Sequence, residues 1–136
     1  MKENKKITVS GKRKRAIARA IIQKGDGDIR INNKDYNNLH LLDKLRIEEP
    51  IRISKNVLGG LDFNINVTIK GGGIKGQLEA ARLAIAKAIL KYTNSKKLEK
   101  AFLVYDRNLL VADVRRKESS KPGDSKARAK RQSSKR

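Results

Sequence analysis

The strongest constraint on this chain lies at its end, because residues 115–136 cannot build a core. That stretch carries ten basic side chains, Arg115, Arg116, Lys117, Lys121, Lys126, Arg128, Lys130, Arg131, Lys135 and Arg136, against Glu118 and Asp124. Its apolar side chains are limited to Ala127 and Ala129. So little apolar surface cannot offset the entropy of becoming ordered, and the segment is expected to be a solvated coil on its own. Its natural partner is a dense array of phosphates. Backbone relaxation of the free protein is expected to give order parameters below about 0.6 across residues 115–136. Rigid values in the absence of a polyanion would refute this.

The rest of the chain points the same way. Lysine and arginine number 34 against 14 aspartate and glutamate, a formal charge of +20 on 136 residues. Self-repulsion on that scale is tolerable mainly when a polyanion neutralises it. A membrane partner is disfavoured, since no run approaches the roughly 20 apolar residues of a spanning helix. The charged start and the short Ile7-Thr8-Val9 do not make a secretory signal. The chain has no cysteine, which removes disulfides and thiolate metal sites together, leaves the compartment open and fits a reducing cytosol.

Residues 1–114 read as one globular body, and 115–136 as an extended basic tail. Beyond Val114 apolar content all but stops. Ile7 and Val9 alternate with polar neighbours, and Arg15 to Gln23 reads as a strand with Ala16, Ala18 and Ala20 on one face. Lys24-Gly25-Asp26-Gly27 reads as a hairpin turn, with Ile29 and Ile31 on the return strand. These three segments predict an antiparallel meander. Leu39, Leu42, Leu45 and Ile47 predict a short amphipathic helix or turn ahead of Pro50. Phe63, Ile65, Val67 and Ile69 alternate with polar residues in the clearest strand pattern of the chain. After Gly71-Gly72-Gly73, the positions Leu78, Ala81, Ile85, Ala88, Ile89 and Tyr92 recur at helical spacing, with Arg82, Lys87 and Lys91 directed elsewhere and Asn94 as the stop. Leu98 to Val104 reads as another short helix, and Leu109-Leu110-Val111 as a final buried strand or turn. The fold class is α+β, a single small domain.

Candidate chemistry is sparse. Gly71-Gly72-Gly73-Ile74-Lys75-Gly76 satisfies the G-x-G-x-x-G pattern between a strand and a helix, but the second strand ending in an acidic residue is missing. The Lys-Ser/Thr of a P-loop is missing too. Two readings of the loop stay open: a tight strand-to-helix turn, or a backbone phosphate contact using helix-start amides with Lys70 and Lys75. A small-molecule kinase built on this loop would need a hydroxyl or carboxylate partner that the sequence does not offer. His40 is the one histidine, and its leucine neighbours suit packing or surface better than catalysis. Asp106 and Asp113 stand beside Arg107, Arg115 and Arg116, which favours ordinary ion pairs. No enzyme, cofactor, metal or small-molecule substrate is expected.

Ser10-Gly11-Lys12-Arg13-Lys14-Arg15-Ala16-Ile17-Ala18-Arg19 packs five cations into one loop-to-strand transition. Lys12, Arg13, Lys14 and Arg15 are expected to meet RNA phosphates. With the glycine loop and the tail, this makes three cationic sites on one small domain, which suits structured RNA recognised by shape. Aromatic residues are only 4% of the chain, too few for base-stacking platforms. On the residues alone, a ribosome and another RNA-processing particle both remain possible hosts.

At these residues the chain resembles the small-subunit ribosomal protein family conventionally called S-nine, in its archaeal and eukaryotic form. The resemblance covers nearly the whole chain. It rests on Gly11-Lys12-Arg13-Lys14 with Ala16, Ala18 and Arg19, on Ile47-Glu48-Glu49-Pro50, and on Lys70-Gly71-Gly72-Gly73 with Gly76-Gln77. It continues through Tyr105-Asp106-Arg107-Asn108-Leu109-Leu110-Val111-Ala112-Asp113 with Arg115-Arg116, and through Lys126-Ala127-Arg128-Ala129. The resemblance implies a mixed sheet with helices packed on it and a left-handed βαβ crossover. It implies that the body binds ribosomal RNA in the head of the small subunit, beside neighbouring head proteins, in a cytoplasmic ribosome. The RNA-facing residues would be Lys12 to Arg15, Arg19, Lys70 to Gly73, Lys75, Arg107, Arg115 to Lys117, Lys121, Lys126, Arg128, Lys130 and Arg131. The tail would run toward the decoding region, where Ser134, Lys135 and Arg136 would approach the anticodon stem-loop of peptidyl-site transfer RNA. Two departures stand out. Val114 replaces the usual proline before Arg115-Arg116, which implies a less rigid exit for the tail. Residues 132–136 lack the usual aromatic side chain, which leaves the tip a charge-based role.

Overall fold

The computed structural model describes residues 5–123 and 126–129. Five strands form one mixed sheet in the order β1-β2-β5-β3-β4, with β1 at Ile7–Arg13, β2 at Ala16–Lys24, β3 at Ile29–Ile31, β4 at Lys34–Asp35 and β5 at Phe63–Lys70. Three helices accompany it: α1 at Leu41–Leu58, α2 at Ile74–Thr93 and α3 at Lys96–Tyr105. This is the small α+β domain expected. Among the described residues, the last regular element is a 3-10 turn at Arg107–Leu109, whose Leu109 is fully buried.

Alternation decides the layers. Ala16, Ala18, Ala20 and Ile22 of β2, with Phe63, Ile65 and Val67 of β5, are all buried on one face of the sheet. The helix α2 crosses that face with Ala80, Ala81, Ala84 and Ala88 equally buried. Small residues on both sides let the two backbones approach closely. The approach is tightest at Gly11 of β1, where an added Cβ would fall 2.5 Å from the Ala80 carbonyl oxygen and 2.8 Å from the Ala84 nitrogen. Asn94, left-handed at φ 51°, ends α2 and donates its N–H to the Leu90 carbonyl, a common way for a helix to stop. Against α2 pack α1 and α3, which bury Ile47, Ile51, Leu98 and Phe102.

The meander expected from the first three segments does not form. Antiparallel β1 and β2 pair as read, but β5 enters between β2 and β3, antiparallel to the first and parallel to the second. The connection from β3 to β5 runs through α1. Asn64 explains why the 24–27 turn closes no hairpin: its Oδ1 accepts the backbone N–H groups of Asp26, Gly27 and Asp28 at 2.9, 3.1 and 2.9 Å. That wraps the turn around the start of β5. A central place also favours β5, whose longer apolar face gains a partner on each edge. The hairpin is instead β3–β4, turned by Asn32 and Asn33 at φ 50° and 64°, the left-handed geometry that tight hairpins require.

The segment before Pro50 also needs correction. Rather than stopping there, α1 runs through Pro50 to Leu58, and its buried stripe is Ile47, Pro50, Ile51 and Ser54, at helical spacing. Burial of that stripe outweighs the missing proline N–H. The Ser54 hydroxyl also donates to the Pro50 carbonyl at 2.7 Å. Leu42 and Leu45 point to solvent, at 74% and 40% exposure.

Candidate nucleic-acid interface

Three segments distant in sequence meet at one end of the sheet. The first is the tight β1–β2 turn at Lys14 and Arg15, where Lys14 adopts φ 53°. The second is the glycine loop, with Gly71 at φ 77° and Gly72 at φ 68°. A Cβ on Gly71 would lie 2.8 Å from the Arg15 carbonyl oxygen, and one on Gly72 the same distance from the Ala16 nitrogen. Only glycine lets the loop lie against that turn. Gln77 secures it by donating from Nε2 to the Gly71 carbonyl at 3.0 Å. The third segment is the start of the tail. Together they line an open groove of about 840 Å³, with Lys14, Arg15, Arg115, Arg116 and Lys117 on its walls, Gly72 and Gly73 between them, and Glu118 as the acidic member. Crowded cations of this kind focus a positive field in a concave surface.

The groove continues onto the sheet face that no helix covers. Strand register sets Lys12, Ile17 and Lys70 in one row across three strands, and Ser10, Arg19 and Thr68 in the next. All six side chains are exposed. Lys12 and Lys70 flank exposed Ile17 and each lies diagonal to Arg19, about 7 Å away, so the three cations share one patch, with Ser10 and Thr68 on either side of Arg19. Ser10 and Thr68 are contributors that charge counting passes over, although Thr68 belongs to the polar alternation of β5 that the sequence displays.

Arg13 differs from its neighbours. Its side chain is only 11% exposed and turns inward to Glu79 and to Asp113, the latter at 3.3 Å. Arg82, read as directed away from the core, is also drawn in, bridging Glu49 of α1 and Asp106. The carboxylates thus pair as expected, but Asp106 takes Arg82 rather than Arg107. This network ties β1, α1 and α2 to the point where the tail departs. The pairing is incomplete, since Arg13 Nη1 and Arg82 Nε are buried without a hydrogen-bond partner among the described residues.

Asp113 receives the most from it. Hydrogen bonds from the Arg115 guanidinium, then from the Arg115 backbone N–H, with the charges of Arg115 and Arg13 behind them, hold its carboxyl well below the usual carboxylate range. The same pairing raises Arg115. This lock stands beside Val114, itself 85% exposed. Because the folded-state value is depressed, the stabilisation is present above the unfolded aspartate value of about 3.9 and is lost as pH falls below it. The Asp113 carboxyl carbon is expected to keep its ionised chemical shift near pH 3 and to titrate at higher pH in Arg115→Gln, part of the way back to the ordinary value, because the residue 115 backbone N–H and the Arg13 charge remain. An unchanged titration in the variant would refute the pairing.

The remaining expected contacts are dispersed. Lys75 is exposed on the first turn of α2, and Arg107 is exposed on the 3-10 turn outside the groove. Lys121 donates to the Ala129 carbonyl at 3.2 Å, Arg128 pairs with Glu118 at 2.8 Å, and Lys126 is exposed. Lys130, Arg131, Ser134, Lys135 and Arg136 lie outside the described residues. His40 is exposed just before α1. Among the described residues no cluster of His, Cys, Asp or Glu is placed to hold a metal ion, and no helix is long and apolar enough to cross a membrane.

Comparison with known proteins bears on this surface. The family model described as Ribosomal protein S9/S16 matches residues 11–136. The small ribosomal subunit protein uS9 of Thermoplasma volcanium is 44% identical over 130 residues, which cover 94% of this chain and 96% of that one. The protein of the same name from Methanococcus vannielii is 44% identical over 136 residues, covering 96% and 98%. That from Methanothrix thermoacetophila is 42% identical over 131 residues, also covering 96% and 98%.

Proposed function

The chain belongs to the ribosomal protein S9/S16 family, and from that premise we propose that its groove and open sheet face bind ribosomal RNA of the small-subunit head while its tail reaches peptidyl-site transfer RNA. It is a structural constituent of the small ribosomal subunit, acts in translation in a cytoplasmic ribosome and is not an enzyme. Ribosomal RNA and neighbouring ribosomal proteins are its partners.

One observation carries the finer reading: cations from the β1–β2 turn and the tail root converge around the glycine loop on one groove, next to Lys12, Arg19 and Lys70. Phosphates neutralised there release counterions, which supplies affinity with little demand for sequence. The glycine loop adds backbone amides at the start of α2, where an anion also meets the helix dipole. Arg13 serves by position, anchoring Asp113 and so the direction in which residues 115–136 leave the body. Arg107, Lys75 and the tail cations extend the same electrostatic footprint.

A tail of residues 115–136 spans at most about 75 Å when extended, so its tip can reach a ligand far from the body. Two terminal cations in a screened RNA cleft contribute about a kcal/mol. Subunits carrying the protein without Ser134, Lys135 and Arg136 are expected to assemble normally and to bind peptidyl-site transfer RNA up to about tenfold more weakly. Filter binding across a range of salt decides it. Equal affinity would remove these three residues from the contact.

A further inference from the structure

Among the described residues, one long edge of the sheet is left without a neighbour. The tight turn closes on the Arg13–Ala16 pair, and Gly11, Val9 and Ile7 follow it back along β1, each facing its partner on β2. Hydrogen-bonded pairs alternate in an antiparallel ladder, so these are the residues whose main-chain groups face β2. The N–H and C=O groups of Thr8 and Ser10 therefore point outward, toward the free side of β1. The opposite edge, β4, is two residues long. A bare edge as long as β1 normally carries a risk of unwanted pairing that proteins suppress or cover.

A groove of about 850 Å³ runs beside it, reaching from Thr8, Val9 and Ser10 to α2, α3 and the chain after the 3-10 turn. Its floor is apolar: Val9, Leu90, Leu103, Leu110 and Val111, with Leu103 and Val111 at 45% and 41% exposure. Its rim is basic, with Lys87, Lys91 and Lys96 against Glu99. An apolar floor beside free main-chain groups is poorly matched to a phosphate backbone. It suits an extended polypeptide that pairs with the edge, places alternate apolar side chains on the floor and meets the lysines with carboxylates.

We infer that β1 and this groove receive an extended strand of a second polypeptide, with apolar residues alternating with acidic ones, contributed by a protein neighbour in the subunit. The inference rests on the ribosomal placement of the chain and gives the protein contact its surface. Hydrogen exchange read by mass spectrometry on free protein and on assembled subunits tests it. The segment holding Thr8 and Ser10 is expected to exchange roughly tenfold more slowly in the subunit, and to stay protected after nuclease trimming of exposed RNA. Thr8→Pro removes an outward N–H without touching the β1–β2 ladder, and Leu103→Glu places a charge on the floor. Each variant is expected to enter subunits and to lose the protection. Protection equal to that of the free protein, protection abolished by nuclease, or full protection in Leu103→Glu would overturn the inference. Failure of the parent protein to enter subunits would instead overturn the ribosomal placement.

Discussion

Changing Lys14, Arg15, Arg116 and Lys117 together to glutamine is expected to weaken binding to head RNA on the order of a thousandfold near 0.1 M salt, with the thermal melting of the body unchanged. Each phosphate left without its cation lowers the slope of log affinity against log salt by roughly 0.7 to 0.9, so four of them remove about three units. Near 0.1 M salt that change in slope equals the number of decades by which affinity falls. The choice of residues follows from the geometry. These four side chains are exposed on the groove wall, whereas Arg13 is turned into the body and Arg115 is bound to Asp113. Changing Arg13 alone is expected to act through stability, because Glu79 would lose its partner and Asp113 would keep only Arg115. An unchanged salt slope in the fourfold variant would place the groove in solvent and withdraw it as the RNA contact.

Gly11→Val is expected to cost about 3 kcal/mol of folding stability, enough to lower Tm on the order of 10 °C. The atoms that a Cβ would meet belong to the backbone of α2. They cannot rotate away, so the helix must lift from β1 and open the alanine-lined contact along its length. Gly60 supplies the control, because nothing lies within 4 Å of a Cβ there and its φ is not positive. Gly60→Ala is expected to be neutral or stabilising by about 0.5 kcal/mol, through the unfolded chain alone. Calorimetry of both variants separates the two positions. A Gly11→Val protein as stable as its parent would mean that α2 does not approach β1 as closely as described.

Local periodicity made much of this architecture legible. The alternation through Phe63, Ile65, Val67 and Ile69 is β5, the apolar positions from Leu78 to Tyr92 are the inward side of α2, and Asn94 ends that helix. The small-residue stripe of β2 forecast a close contact without showing that α2 would make it. Periodicity names a face and carries no information about which strand lies alongside. For that reason the 24–27 turn read as a hairpin, although Asn64, distant in sequence, captures its amides. Pro50 misled for a similar reason, since propensity registers the missing N–H and not the burial of α1 that outweighs it.

The candidate interface divides in the same way. Charge, composition and the motifs from Gly11 to Ala129 were enough to identify a strongly basic member of the S9/S16 family, because these depend on residue type and order alone. Which cations remain available is a matter of packing. Lys12, Arg13, Lys14 and Arg15 are equivalent as a run of charge, yet β1 directs Arg13 toward Glu79 and Asp113 while its neighbours face outward. The meeting of the β1–β2 turn, the glycine loop and the tail root likewise requires β5 to lie beside β2, a pairing between residues far apart in the chain. Long-range contacts fix that arrangement, and no local pattern encodes them.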